Sequence, residues 1–202
     1  MTDYSGLQIG ILAIQGDYEM HQQQVERVGA TPHLVKLPRD LEKIDGLIMP
    51  GGESTTMSIM MDRFSLRRPL IEFGRQKPVY GTCAGMIMLA KRIDDNLSGV
   101  VPLGLMDIDV VRNGYGRQIF SFEELVPAPH VANGHPLRAT FIRAPRITRI
   151  GPGVETLAVL RDSAILVRER NLLAASFHTE LDQDTTLLNY FFDNLFARQS
   201  RS

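Results

Sequence analysis

The only cysteine of this 202-residue chain, Cys83, lies in the stretch VYGTCAGMIMLAK, Val79–Lys91. A buried-strand pattern ends at Thr82 and a helical pattern begins near Ala84, so the cysteine falls in a tight strand-to-helix turn. This G-x-C-x-G arrangement is typical of a nucleophile elbow, whose strained turn projects a reactive side chain above the carboxyl edge of a sheet. A helix N-terminus and a nearby imidazolium would both favour the thiolate, which is the nucleophilic form. The alternative is that Cys83 is one more small buried residue, as free cysteines usually are.

A cysteine nucleophile needs a base, and the base needs a group that orients it. His178 and Glu180 follow the apolar run Leu172–Phe177 in the order F-H-T-E. Residues two apart in extended backbone point to the same side, so Glu180 is placed to hold one imidazole nitrogen and leave the other for Cys83. The alternative is a strand-end histidine beside an unrelated glutamate. The other histidines are expected at surface or turn positions, and their spacing predicts no metal site: His21, His33, His130 and His135.

A third loop, Pro50–Thr55 (PGGEST), follows a buried strand. Its two glycines allow backbone amides to approach a ligand closely, and Ser54 or Thr55 is expected to cap the next helix. Glycine-rich loops at helix starts also bind phosphate, although the Gly-Lys-Ser/Thr of the phosphate loop is missing here. The motif therefore leaves both uses open.

The elements that would position these motifs follow two patterns. Strands and helices alternate up to about residue 93, which predicts a parallel sheet covered on both faces. Short β-rich runs follow from Leu103 to Phe177 and predict antiparallel strands, and an amphipathic helix is expected from about Asp184 to Arg198. We expect one α/β domain over residues 1–202. The expected early elements are strands at 7–14, 33–37, 46–49 and 78–82, and helices at 17–28, from 53, 66–75 and 84–93.

The composition is that of an ordinary globular protein, with 44% hydrophobic and 22% charged residues. A net charge of −1 gives no electrostatic footprint for nucleic acid or for an anionic membrane surface. A single cysteine cannot form an internal disulfide, and no apolar run approaches the ~18 residues that span a bilayer. We expect a cytoplasmic protein.

Taken together, PGGEST, GTCAG and FHTE resemble the class I, triad-type glutamine amidotransferases. The chain is most similar to the branch that supplies the glutaminase subunit of pyridoxal 5′-phosphate synthase. The shared stretches are ILAIQGD, DGLIMPGGESTTM, PVYGTCAGMIMLAK, VVRNGYGRQIFSFE, FIRAP and ASFHTE. GTCAG alone would indicate only the superfamily, whereas GGESTTM with RNGYGRQ and FIRAP indicates this branch.

The resemblance implies a three-layer, flavodoxin-like domain with a mostly parallel central sheet and antiparallel strands in the C-terminal half. It implies that Cys83 is the nucleophile, His178 the general acid and base, and Glu180 the partner that orients His178. Glutamine would be hydrolysed to glutamate and ammonia through a glutamyl thioester, without a cofactor or metal. The implied oxyanion hole is the backbone amides of Gly52 and Ala84. The implied substrate contacts are Gly52, Glu53, Ser54, Arg112, Ile142 and Arg143.

The resemblance also implies a partner, a separate synthase subunit with a (β/α)₈ barrel that receives the ammonia and makes pyridoxal phosphate. The glutaminase would be poor alone and become competent when docked, with Gly51-Gly52 as the mobile element. The first helix, with His21 to Gln24, and the loop 113–117 are candidate docking contacts.

One position departs from the family pattern. The family usually has F-H-P-E, whereas this chain has Thr179 in place of the proline, which relaxes the backbone and restores an amide donor. We still expect an intact triad. Other readings remain open: the glutaminase of another amidotransferase such as imidazole glycerol phosphate synthase, a cysteine hydrolase acting on other substrates, or a non-enzymatic α/β module that binds a phosphate-containing ligand.

Overall fold

The computed structural model describes residues 2–94, 99–114, 121–132, 135–181 and 184–196. The strands are β1 (Gln8–Leu12), β2 (Thr31–Val35), β3 (Gly46–Met49), β4 (Val79–Thr82), β5 (Ala90–Ile93), β6 (Met106–Val111), β7 (Ser121–Pro127), β8 (Pro136–Ile142), β9 (Arg146–Ile150), β10 (Glu155–Leu160), β11 (Ser163–Glu169) and β12 (Leu172–Ala175). The α-helices are α1 (Tyr18–Arg27), α2 (Ser54–Arg63), α3 (Arg67–Gln76), α4 (Ala84–Leu89) and α5 (Thr186–Phe191). A 3₁₀ helix covers Pro38–Lys43 and a π-helical turn covers Phe192–Phe196.

The central sheet has seven strands in the order β10-β11-β12-β4-β3-β1-β2. The five strands from β12 to β2 are parallel, and β10 and β11 extend the sheet through antiparallel pairing. A three-stranded sheet (β5-β6-β9) and the β7–β8 hairpin lie outside it. The α/β fold class predicted from the sequence, a mostly parallel sheet with antiparallel strands in the C-terminal half, is confirmed.

The sheet has apolar cores on both faces, because successive strand residues point to opposite sides. In β3, Leu47 and Met49 join the core that is covered by α2, α3 and α4, whereas Ile48 joins the core covered by α1 and α5. The inner strands β3, β4 and β12 are buried over their whole length. Their sequences are continuous apolar or small-residue runs, which is how strands buried on both faces are expected to read.

Several element boundaries differ from the prediction. Helix α4 ends at Leu89 and not near residue 93, because Ala90 to Ile93 form β5, which pairs with β6. The second strand covers Thr31–Val35 and the third helix Arg67–Gln76, each shifted from the expected 33–37 and 66–75. The last helix is α-helical only in α5 before the π-helical turn, and its expected end at Arg198 lies outside the described residues.

The topology brings four chain segments to one place. The segments that follow β1, β3, β4 and β12 all leave the carboxyl edge of the parallel strands, where ligand sites of open α/β sheets form. These segments carry Gln15-Gly16, Gly51-Gly52, Cys83 and His178. Within the described ranges, no helix is both long and apolar enough to cross a bilayer.

Candidate active site

Cys83 occupies the turn between β4 and α4 with φ 49° and ψ −102°. A non-glycine residue seldom adopts a positive φ, and such strain costs on the order of 1–3 kcal/mol and concentrates at functional sites. The flanking glycines make the turn possible, since a Cβ at Gly81 would overlap Gly85 and a Cβ at Gly85 would overlap the Met49 carbonyl. The nucleophile-elbow geometry expected from G-x-C-x-G is therefore present. Cys83 is only 6% exposed, yet it lines an open cavity.

His178 is positioned by backbone pairing just after β12. Its N–H donates to the Thr140 carbonyl at 2.8 Å and its carbonyl accepts from the Thr140 N–H at 3.3 Å, which ties it to β8. Its ring packs against Gly51, where a Cβ would overlap the imidazole. The first glycine of PGGEST, Gly51, is therefore required by the packing of the His178 ring.

The imidazole joins the two other predicted triad members. His178 Nδ1 donates to Glu180 Oε1 at 2.6 Å, and the two side chains are 5% and 0% exposed. Burial would lower the pKa of His178, but hydrogen bonds to Cys83 and Glu180 and the charge of the Glu180 carboxylate outweigh it and raise the pKa to about 10. At neutral pH the ring is therefore an imidazolium, and an imidazolium beside a cysteine favours the thiolate.

Glu180 is fully buried and remains ionised. Burial would raise the pKa of its carboxyl, but His21 and the hydrogen bond from His178 lower it to about 2. Its second oxygen, Oε2, accepts from the Thr179 N–H at 3.0 Å. A proline at position 179, as in F-H-P-E, has no N–H and could not donate this bond.

The prediction that His21 lies at the surface is wrong. His21 is 0% exposed, and its Nε2 lies 3.3 Å from Thr82 Oγ1 and 3.6 Å from Glu180 Oε1. The sequence held a signal for this burial: His21, Gln24 and Val25 have the i, i+3, i+4 spacing of one helix face, and all three are buried. The other three histidines are at least partly exposed, as predicted.

The PGGEST loop is held by neighbours that the sequence did not indicate. Gln15 Oε1 accepts from the Glu53 N–H at 3.0 Å, and a Cβ at Gly52 (φ 138°) would meet the Gln15 side chain. The helix cap is Glu53 and not Ser54 or Thr55, because its carboxylate accepts from the N–H groups of Thr55 and Thr56. These bonds overcome the effect of burial and lower the pKa of Glu53 to about 2.

The cavity above Cys83 has a volume of about 200 Å³. It is lined by the candidate substrate contacts together with Asp17 and Asn113, which the sequence reading did not place there. The candidate contacts in the lining are Gly52, Glu53, Ser54, Arg112, Ile142 and Arg143. Ala84 begins α4 next to the cysteine, so its backbone N–H lies at the first helical position.

Two guanidinium groups from different segments line this cavity. Arg112 lies at the end of β6, with one guanidinium nitrogen 3.4 Å from Thr55 Oγ1, and Arg143 follows β8. The Cys83 sulfur lies 3.8 Å from the Ile142 carbonyl oxygen. Among the described residues there is no group of three or more His, Cys, Asp or Glu side chains arranged to hold a metal ion.

Comparison with known proteins indicates the same family as the sequence motifs. The model of the SNO glutamine amidotransferase family matches residues 11–197. The chain belongs to this family. The family predicted from PGGEST, GTCAG and FHTE is thus confirmed, and with it the prediction that the chain is a glutamine amidotransferase.

Relatives within the SNO family cover nearly the whole chain. The pyridoxal 5′-phosphate synthase subunit PdxT of Desulforudis audaxviator is 48% identical over 188 residues, which span 93% of this chain and 98% of that protein. The protein of the same name from Fervidobacterium nodosum is 47% identical over 91% of this chain and 94% of its own length. A crystal structure of a glutamine amidotransferase has a TM-score of 0.87 at 38% identity and covers 94% of this chain and 98% of that one.

Proposed function

We propose that this SNO-family chain is the glutaminase subunit of a pyridoxal 5′-phosphate synthase and hydrolyses L-glutamine to L-glutamate and ammonia. The observation that carries the proposal is the buried His178–Glu180 pair beside a cysteine that is held at positive φ and lines an open cavity. The PdxT relatives at 48% and 47% identity support the choice of this synthase over another amidotransferase.

The proposed mechanism begins with Cys83 as a thiolate beside the His178 imidazolium at the carboxyl edge of the sheet. The Cys83 thiolate attacks the side-chain amide carbon of glutamine and forms a tetrahedral oxyanion. As the C–N bond breaks, His178 gives its proton to the leaving nitrogen, and ammonia departs from a glutamyl thioester. A water molecule then attacks the thioester while His178 removes its proton, and the C–S bond breaks to release glutamate. Glu180 keeps the imidazole oriented throughout.

The oxyanion would be stabilised by the backbone N–H groups of Gly52 and Ala84. Ala84 lies at the N-terminus of α4, where backbone amides have no partner within the helix and the helix dipole favours negative charge. Gly52 has a positive φ that only glycine tolerates easily, and this conformation allows its peptide to turn toward the cavity. Donors of this kind stabilise charge that develops only during the reaction.

The cavity lining fits the two charged ends of free glutamine. Arg112 and Arg143 provide guanidinium groups for its α-carboxylate. Glu53 is ionised and suits the α-ammonium group, and Ser54 and the Ile142 backbone complete the polar lining. A peptide lacks this pair of free termini on one residue, so the arrangement favours free glutamine over a peptide substrate.

The ammonia would pass to the partner, the synthase subunit with the (β/α)₈ barrel. The PGGEST loop, with two glycines packed on Gln15 and His178, is the element that docking would adjust. Isolated chain is therefore expected to hydrolyse glutamine more slowly than the complex. The cytoplasmic location stays a prediction. Of the candidate docking contacts His21 to Gln24, His21 and Gln24 are buried, so a docking contact there would fall on Gln22 and Gln23. Part of the loop 113–117 lies outside the described residues.

Covalent labelling of Cys83 tests the proposal. A glutamine-mimicking electrophile should label Cys83, and free glutamine but not glutamine-containing peptides should protect it. Labelling and ammonia release should both rise when the synthase subunit is added. Protection by peptides would assign a different hydrolase, and unchanged ammonia release with Cys83→Ala would remove the nucleophile from the mechanism altogether.

A further inference from the structure

We propose that His21 is a positioning residue for the active site, and that its Nε2–H holds the Glu180 carboxylate in place behind His178. This inference rests on the proposed function, since it assigns His21 a part in orienting the base of that reaction. His21 belongs to α1 and does not line the cavity. It therefore acts through Glu180 and not on the substrate.

Burial strengthens the contact between His21 and Glu180. Both His21 and Glu180 are 0% exposed, and the atoms that face each other, Nε2 and Oε1, are 3.6 Å apart. The same Nε2 lies 3.3 Å from Thr82 Oγ1. The 3.6 Å separation is an electrostatic contact and not a hydrogen bond. In a buried site, electrostatic interactions are stronger than in solvent, so an N–H dipole at this distance stabilises the carboxylate.

The surroundings determine which ring nitrogen carries the proton. Glu180 is ionised and only accepts hydrogen bonds, so an Nε2 lone pair facing it would be repelled. His21 Nδ1 is buried and has no hydrogen-bond partner in the described part of the chain. A proton on Nδ1 would leave that N–H unsatisfied as well. The stable form is therefore the Nε2–H tautomer.

At neutral pH His21 acts as a dipole and not as a second cation, and its charge lowers the pKa of Glu180 only where the ring is itself protonated. Burial lowers its pKa, which Glu180 and Asp17 counteract and the nearby His178 reinforces. With His178 already positive, a charged His21 would place two imidazolium rings around one carboxylate. The Cys83 thiolate, the His178 imidazolium and the Glu180 carboxylate together carry one net negative charge. A neutral His21 ring with its N–H toward Glu180 stabilises that charge.

The contact also connects the carboxylate to the strand that carries the nucleophile. Thr82 is the last residue of β4 and directly precedes Cys83, and it is fully buried. His21 thus lies between Glu180 and Thr82. Glu180 follows β12, and Thr82 directly precedes Cys83. Loss of the imidazole would loosen the orientation of Glu180 relative to Cys83 without changing the substrate cavity.

Two substitutions separate this role from simple packing. His21→Gln places an amide N–H near the position of Nε2, whereas His21→Leu fills the space without a donor. In the complex with the synthase subunit, we expect His21→Leu to lower the kcat for glutamine hydrolysis about tenfold with KM within about twofold, as for outer partners of other sites. We expect His21→Gln to stay within about threefold of the unchanged chain. Equal losses in the two variants, or a change confined to KM, would overturn the proposal.

A second readout is the pH dependence of Cys83 alkylation by iodoacetamide, measured on the chain alone. If Glu180 no longer holds His178 firmly, less thiolate is present at neutral pH, so the half-maximal rate should move to higher pH in His21→Leu. Val25→Ala is the matched control, because Val25 is on the same buried face of α1 and does not contact Glu180 by hydrogen bond or ion pair. The control should lose stability without moving the profile. An unmoved profile in His21→Leu would contradict the inference.

The tautomer itself is measurable in the unchanged protein, which keeps the test decisive if His21→Leu does not fold. The ring ¹⁵N shifts of His21 should show a neutral Nε2–H form through neutral pH, and an Nδ1–H form would overturn the proposal. Failure of the proposed function would look different. The unchanged complex would then release no ammonia from glutamine, while the tautomer and the alkylation profile would still report the His21–Glu180 contact.

Discussion

Two regions meet at the cavity, and they are built in different ways. The reacting groups Cys83, His178 and Glu180 follow central strands of the parallel sheet and are at most 6% exposed. The candidate substrate side chains Arg112 and Arg143 come from outside that sheet, after β6 and β8, and face solvent at least in part. The reacting groups are therefore placed on the rigid core and the two candidate guanidinium contacts on its periphery, whereas the other candidate contacts, Gly52 to Ser54, follow the central strand β3.

The difference follows from what each task requires. Proton transfer and nucleophilic attack need groups fixed to within fractions of an ångström, and buried strands with hydrogen-bonded neighbours provide that. Recognition of a charged amino acid depends on guanidinium and carboxylate groups that can be reached from solvent. A direct backbone link between the two regions is the Thr140–His178 bridge, which attaches the β7–β8 hairpin to the base.

The largest expected effect is the loss of activity in Cys83→Gly, a substitution among the reacting groups on the core. Loss of the sulfur should reduce ammonia release from glutamine by at least about 10³-fold. Because glycine tolerates φ 49°, this variant should nevertheless be more stable than Cys83→Ala by about 1 kcal/mol in chemical denaturation. Ala84→Gly is the control, since glycine at a helical position should lower stability. A Cys83→Ala protein more stable than Cys83→Gly would show that the turn is not strained.

A smaller effect of another kind is expected at the periphery. Arg112→Ala should raise the KM for glutamine about tenfold or more while kcat stays within about threefold, because it removes a carboxylate partner and leaves the reacting groups in place. Arg138→Ala on β8 removes a charge of the same sign from a residue that does not line the cavity, and it should leave both constants nearly unchanged. A fall in kcat at constant KM would show that the two regions are not divided as argued.

The sequence predicted the core side well because that side depends on local signals. Continuous apolar runs identify the buried strands, and small residues around Cys83 are required by contacts within a few residues or with the neighbouring strand. The parallel order then follows from alternating strands and helices, and it brings the strand ends together. The spacing of His178 and Glu180 indicated a pair but left open a strand-end histidine beside an unrelated glutamate, and the family resemblance favoured the pair.

The misread parts depend on contacts between distant segments. Residues 90–93 looked like the end of a helix, but Lys91 and Arg92 form ion pairs with Asp107 and Asp109 across β5 and β6. His21 looked like a surface residue because α1 is rich in polar residues, but two of them, His21 and Gln24, lie on its buried face. In both cases the partner lies at least 16 residues away, beyond any local pattern.

The smallest effect should arise at Thr179, which lies between the two reacting side chains and distinguishes this chain from the usual F-H-P-E. Thr179→Pro removes the N–H that donates to Glu180 Oε2, while His178 still holds Oε1. We expect kcat to fall about threefold and stability at neutral pH to fall by about 1 kcal/mol, the loss of the bond being partly offset by the stiffer unfolded chain. KM should not change.

The pH dependence of this stability loss identifies its cause. The pKa of Glu180 is lowered from 4.5 to about 2, so its ionised form contributes stability above pH 4.5 that is lost as the pH falls toward 2. Removing the Thr179 N–H brings the pKa of Glu180 in the folded protein closer to its value in the unfolded chain. The difference between the unchanged chain and Thr179→Pro should therefore be constant above about pH 5 and shrink below pH 4 in denaturation measured across that range. A difference that persists unchanged at low pH would assign the loss to backbone strain, and the Thr179 amide would then contribute nothing to holding the carboxylate.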